Sequence, residues 1–336
     1  MNKAVKIIIG VVVLVLLVWA VGTKSEPNEP EENTPIKIGI IAPLTGPVAD
    51  YGEEIRKGVT AGASAAGIEL VFEDDKCDPK EGVSAFKKLA EFDKVQFFIG
   101  PACGSSQEAI VPLLAGKEIM TVVPAAASSA LYAQSGNNFF NIQYSLQDES
   151  KFVAEKMTAL GYTKVALVSY GNAFSKAHAD SFREHFAGTI AIDSVITDEN
   201  TNLSTEVTKI KAAGVDAIYS PDISFFFAAG LTKLREQKVA VPVFSTYVVE
   251  LPAVREVVAD VMYSYPAEIA DTEAAVFGLS KRAAELLSQA VLECKGVYSC
   301  DHDKLTTSGL FDPNGVYHRG IILKQIKNGV PTVITS

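Results

Sequence analysis

Phe97-Phe98-Ile99-Gly100-Pro101-Ala102-Cys103-Gly104-Ser105-Ser106-Gln107-Glu108 passes from a buried strand, Val95 to Ile99, through a turn at Gly100-Pro101 into the first turn of a helix. Ser105 followed by Glu108 has the S-x-x-E spacing of a capping box. The first turn of a helix has free backbone N–H groups and a partial positive charge, which suits a small anion such as a carboxylate. Gly104 lets a ligand approach the backbone closely. The same residues also fit an ordinary β–α junction whose serines only cap the helix, so the neighbouring sequence has to decide.

Working outward, the pattern is strict β–α alternation. Upstream, Ile36 to Ile41 is an apolar run of strand length, Asp50 to Gly67 a helix, Ile68 to Phe72 a strand and Lys80 to Phe92 a helix. Downstream, Ser105 to Gly116 is a helix that Pro112 interrupts, and Ile119 to Val123 is a strand leading into Pro124-Ala125-Ala126-Ala127-Ser128. The pattern then restarts, with helices at Lys151 to Leu160, Ser175 to Phe186, Thr205 to Ala213 and Phe225 to Glu236. Strands lie at Lys164 to Ser169, Thr189 to Ile196, Ala217 to Ser220 and Val243 to Ser245. Glu273 to Glu293 is a long helix. Phe311 to Gly315 is a turn, and Asn328-Gly329 joins the last two strands as a hairpin. Such alternation implies an α/β fold with two doubly wound parallel sheets. Ligands of these sheets sit beyond the carboxyl ends of the strands, so two units facing each other form a cleft.

With 336 residues and 48% hydrophobic content the chain can fill two cores. A formal net charge of -10 and no basic patch argue against nucleic acid as a partner. Ile7 to Val21 is uncharged and comes after Lys3 and Lys6, so it is membrane-directed. It reads either as a signal peptide cleaved near Ala20-Val21-Gly22 or as an anchor reaching Thr23, and both export the rest of the chain. Lys24 to Pro35 is a Pro-, Glu- and Asn-rich tether, which favours the anchor and an extracytoplasmic, membrane-held domain. Cys77, Cys103, Cys294 and Cys300 are an even set, which in an exported chain suggests disulfides; four free buried thiols are the alternative. No histidine or cysteine spacing fits a metal, and no motif calls for a cofactor.

Ile40 to Gly52 (IIAPLTGPVADYG), Asp74 to Lys80 (DDKCDPK), Gly100 to Ser106 and Val123 to Ala126 occur in the order found in the leucine/isoleucine/valine-binding protein family, and the chain resembles that family from Ile36 on. The resemblance implies two lobes joined by a three-strand hinge, with boundaries at 36–145 plus 268–309 and at 146–267 plus 310–336. It implies a Cys77–Cys103 disulfide, a small-molecule ligand in the inter-lobe cleft and the membrane subunits of an ABC permease as partners. It also implies carboxylate binding by the loops Gly104 to Ser106 and Ala125 to Ser128. Gly104 stands where the family often has a serine and Ala127 where it often has a threonine; Ser105 and Ser128 come one place after each. Tyr51 is positioned to cover the ligand, and Phe174 falls at a usual aromatic position. Tyr247, with Ile223, falls near positions that often carry a tyrosine and an acid for an amino group. Asp222 and Glu250 are the nearest acids. These departures make leucine-like specificity doubtful on sequence grounds. The implied function is an extracytoplasmic solute receptor; a tethered sensor is the alternative, and no nucleophile–base pair points to an enzyme.

Overall fold

The computed structural model describes residues 34–197, 202–221, 225–255, 258, 260–267, 269, 274–317, 320–327 and 329–334. Residues Ile36–Ser336 form one compact unit, separate from Met1–Pro35. The membrane-directed segment and most of the tether lie outside the described residues, as does Asp222. Among the described residues, no helix is long and apolar enough to cross a membrane.

The first sheet has five parallel strands in the order β2-β1-β3-β4-β5. These are β1 (Ile36–Ala42), β2 (Ile68–Asp74), β3 (Phe97–Ile99), β4 (Met120–Val123) and β5 (Phe139–Asn141). Its helices are α1 (Ala49–Gly62), α2 (Pro79–Lys87) and α3 (Gly104–Ile110). The second sheet has seven strands in the order β12-β11-β10-β9-β8-β6-β7. They are β6 (Lys164–Tyr170), β7 (Thr189–Ile196), β8 (Ala217–Tyr219), β9 (Val243–Ser245), β10 (Asp260–Pro266), β11 (Ile321–Lys327) and β12 (Val330–Val333). The remaining helices in chain order are α4 (Leu146–Ala159), α5 (Ala173–His185), α6 (Leu203–Ala213), α7 (Phe225–Glu236), α8 (Pro252–Arg255), α9 (Ala275–Glu293) and α10 (Tyr298–Thr307). The second sheet is mixed: β6 to β10 run parallel, whereas β11 pairs antiparallel with β10 and β12 with β11. Lys327 pairs with Val330, so 328–329 is the two-residue hairpin connection that the sequence announces.

The chain crosses between the sheets three times: at 142–145, at 267–274 and at 308–320. The third crossing is pinned to the first sheet, because Asn141 bridges Val316, with Asn141 N–H donating to the Gly315 carbonyl at 2.7 Å. Long α9 returns to pack on α1. A Cβ at Gly58 would lie 2.4 Å from the Phe277 carbonyl oxygen, and one at Gly62 would lie 2.2 Å from that of Lys281, so this helix pair needs glycine to come so close.

Several local details differ from the sequence reading. The capping box does not form. α3 starts at Gly104, its N-cap is Cys103 with no side-chain cap, and Ser105 falls inside the first turn, where its hydroxyl donates to the Cys77 carbonyl at 2.7 Å. The reciprocal cap sits instead at Ser145 and Asp148, before α4: Asp148 N–H donates to the Ser145 hydroxyl at 3.0 Å, and that hydroxyl donates to the Asp148 carboxylate at 2.7 Å. The helix expected to reach Gly116 ends at Ile110 and continues as a 3-10 turn over Val111–Leu114, because Pro112 has no N–H for an α-helical bond. Strands β5 and β10 and helix α10 were not anticipated; β5 has three residues, too few for a period to show.

Cys77 is bonded to Cys103 and Cys294 to Cys300, and among the described residues no cysteine is free. The second bridge closes the turn into α10, where Asp301 is buried with both carboxylate oxygens unpartnered among the described residues. Burial pushes its carboxyl up to about 6, against a smaller opposing pull from Lys304. The folded chain therefore holds this proton more tightly than the unfolded chain does. The stability it contributes is complete below about pH 4 and is lost as pH rises through about 6. Asp301→Asn is expected to flatten the pH dependence of urea unfolding between those values by about 1–2 kcal/mol; a slope equal to that of the parent would contradict this.

Candidate functional site

The strand ends of the two sheets face each other, and the loops named from the sequence meet there. Gly104, the first residue of α3, lies against the first turn of α5 from the other sheet. A Cβ at Gly104 would sit 3.3 Å from the Phe174 backbone nitrogen and 3.4 Å from the Ala173 Cβ. Asn172 caps α5, accepting from Ser175 N–H at 2.9 Å, and so fixes the direction in which Phe174 leaves the helix. The Phe174 ring packs with Ala126 and Leu146, so the second carboxylate loop, the first crossing and α5 share one small apolar cluster. Ala125 and Ala127 are buried. The Ala127 carbonyl accepts from Leu146 N–H at 3.0 Å, and the Ser128 hydroxyl accepts from Gln147 Nε2 at 3.3 Å.

Tyr51 on α1 and Tyr247, just after β9, are both buried, and their hydroxyls are hydrogen-bonded to each other across the cleft. Burial is the largest reason that both phenols are held above their ordinary value, with nearby acids and phenols adding to it. Beneath them is a cluster that the sequence reading missed. Glu149, in the first turn of α4, is fully buried. Its Oε1 accepts from the Tyr144 hydroxyl at 3.4 Å and from the Ser264 hydroxyl, and its Oε2 lies 2.9 Å from His178 Nε2. His178 Nδ1 faces the Phe174 carbonyl at 3.0 Å, so that nitrogen carries hydrogen, and a further proton lies between Nε2 and the carboxylate. Four anchors thereby converge on one buried pair: the first crossing, α4, α5 and β10. One signal was visible, since Phe174 and His178 are four residues apart and lie on one helix face. Nothing in the sequence ties His178 to Glu149.

Asp75, at the end of β2, is fully buried on the first-sheet side. Its Oδ1 accepts from Cys77 N–H at 3.1 Å, and its Oδ2 lacks a well-aligned partner among the described residues. Burial is the main cause of its raised carboxyl.

Glu250 is turned away from the cleft. Its oxygens accept from the Tyr263 hydroxyl at 2.5 Å and from Ala275 N–H at the start of α9 at 3.3 Å, and Lys324 lies 3.9 Å away. Lys324 is buried and sits 3.3 Å from the Tyr265 ring centroid. Glu250 thus ties two crossings together, and it has no oxygen left over for a ligand amino group. The adjacency in sequence to Tyr247 is what made it look like a site acid; the short 3-10 turn Tyr247–Glu250 sends the two side chains apart. Among the described residues, no group of three or more His, Cys, Asp or Glu could hold a metal ion.

Two α/β sheets crossed three times, with loops of both closing on one another, define a two-lobed binding protein of the type I periplasmic class. The chain belongs to the periplasmic binding protein family, in its leucine/isoleucine/valine-binding group; the family match covers residues 35–274. It is 31% identical over 204 residues to the Leu/Ile/Val-binding protein BraC3 of Rhizobium johnstonii, covering 56% of this chain and 55% of that protein. The chain thus spans about half the length of the curated relatives it matches. In fold it is similar to the branched-chain amino acid transporter substrate binding protein LivJ of Streptococcus pneumoniae, solved with isoleucine. There the TM-score is 0.78, the identity 20%, and the match covers 90% of this chain and 100% of that one. It is equally similar to an ABC transporter solute binding protein of R. palustris solved with benzoate, with a TM-score of 0.78, 17% identity and 89% and 95% coverage.

Proposed function

We propose that this chain is an extracytoplasmic solute receptor of an ABC importer. It binds a small carboxylate-bearing ligand, a branched-chain or other amino acid or a related acid, between lobes of 36–145 plus 268–309 and 146–267 plus 310–336. It then presents the loaded form to the permease membrane subunits, and residues 7–23 hold it at the membrane. The role is binding, not catalysis. The observation that carries this reading is the meeting of Gly104 and Phe174 above Ala126, which brings backbone N–H groups and an aromatic wall from opposite lobes to one point. Relatives carry Leu/Ile/Val-binding names, and neighbours in fold were solved with isoleucine and with benzoate; both ligands are carboxylates. Contacts made with both lobes at once then drive the population shift from open to closed.

A ligand that binds only the folded chain raises its melting temperature in proportion to the logarithm of its excess over Kd. A thermal-shift panel of amino acids, small aliphatic acids and benzoates is expected to contain at least one compound that raises the melting temperature and none that is chemically altered. A panel without any shift would contradict the proposal.

A further inference from the structure

We infer that the hinge-side floor of the cleft selects a ligand whose buried polar group is uncharged, a hydroxyl or a carboxamide, rather than an ammonium, and that Gln143 reads that group. This deepens the receptor reading above and rests on it.

Gln143 lies in the first crossing and is 2% exposed, yet neither its amide oxygen nor its amide nitrogen meets a well-aligned partner among the described residues. The amide lies beside the Tyr144 hydroxyl. Tyr144 in turn neighbours Tyr247, whose hydroxyl meets Tyr51 of the other lobe. Thr246, next to Tyr247 and fully buried, has an equally unpartnered hydroxyl. Buried polar groups are nearly always hydrogen-bonded, because leaving one unpaired is destabilising. A primary amide and a hydroxyl held unpaired at one cleft are groups waiting for a ligand to pair them.

The kind of ligand is set by what the floor offers. Tyr51, Tyr144, Tyr247, Thr246 and Gln143 are neutral and combine donor with acceptor. The nearby carboxylate of Glu149 is already met by Tyr144, Ser264 and His178, and the proton it shares with His178 balances its charge. Asp75 sits in a setting that favours its neutral form. An ammonium brings a full charge and three donors with no acceptor, and no described acid on this floor is free to balance it. A hydroxyl or carboxamide brings donor and acceptor together, which matches the amide edge of Gln143.

The test is calorimetric titration of the full chain in detergent with benzoate, para-hydroxybenzoate, para-carbamoylbenzoate and para-aminomethylbenzoate, together with leucine and its α-hydroxy analogue. The hydroxyl and carboxamide compounds are expected to bind at least about tenfold more tightly than their ammonium counterparts. Gln143→Met, close in shape, is expected to abolish that preference while leaving the melting temperature of the ligand-free chain unchanged or raised; Thr246→Val provides the same comparison if the first variant does not fold. Equal or tighter binding of the ammonium compounds, or a preference that survives in the variants, overturns the inference and leaves the receptor reading standing. Binding of none of the six compounds overturns both.

Discussion

His178→Leu is expected to lower the unfolding free energy by about 3–5 kcal/mol, the range found when one partner of a buried charged pair is removed. The reason lies in the surroundings of Glu149. It has no exposed surface, and its Oε2 has His178 as its partner at 2.9 Å. Without the imidazole, that oxygen faces the protein interior with nothing to share a proton. Ser150, whose hydroxyl donates to the His178 carbonyl at 2.6 Å, keeps the backbone of α5 in place, so the loss measures the side-chain pair and not the helix. The Glu149→Gln/His178→Leu double variant is expected to lose clearly less than the sum of the two single variants, since neither leaves a lone charge behind. Urea unfolding at neutral pH measures all three. A loss under about 1 kcal/mol for His178→Leu would mean that Glu149 finds another partner and that the pair does not organise the crossing.

Gly104→Leu is expected to weaken ligand binding by about a hundredfold, roughly 2.7 kcal/mol, while the melting temperature of the free chain stays within a few degrees of the parent. Even a Cβ at this position stands 3.3 Å from the Phe174 nitrogen and 3.4 Å from the Ala173 Cβ, and a branched side chain cannot fit behind it without parting the lobes. Gly104→Ala is expected to cost only a few-fold, because a few tenths of an ångström of movement relieves it. The graded series, measured with whichever carboxylate stabilises the parent, separates blocked closure from loss of a ligand contact. A lost contact would affect both variants alike. Unchanged affinity in Gly104→Leu would show that the two lobes need not meet at this point.

The parts of the molecule that local chemistry dictates were legible in the sequence. Strand runs such as Ile36–Ala42 are apolar over their whole length because the sheet is covered on both faces, and Asp78-Pro79 announces a helix start by cap and fixed φ. The Gly104 loop was found because a glycine after a short apolar strand stands out. The capping of that loop was misplaced by the chance spacing of Ser105 and Glu108, and the true reciprocal cap was passed over at Ser145. What could not be read was anything assembled across distance. Glu149 meets Ser264 from 115 residues away and His178 from 29, and neither pairing leaves a periodic trace. Glu250 illustrates the opposite error: it lies close in sequence to Tyr247, and its carboxylate is spent on Tyr263 and the start of α9.

Hydrogen–deuterium exchange of the full chain, with and without a carboxylate that raises its melting temperature, tests two-lobed capture most directly. The amides of 100–107 in the first lobe and of 171–177 in the second are predicted to slow together, over the same ligand concentrations, as both loops close on one molecule. Protection confined to one of these segments, with the other exchanging as in the free chain, would contradict a ligand held between the lobes.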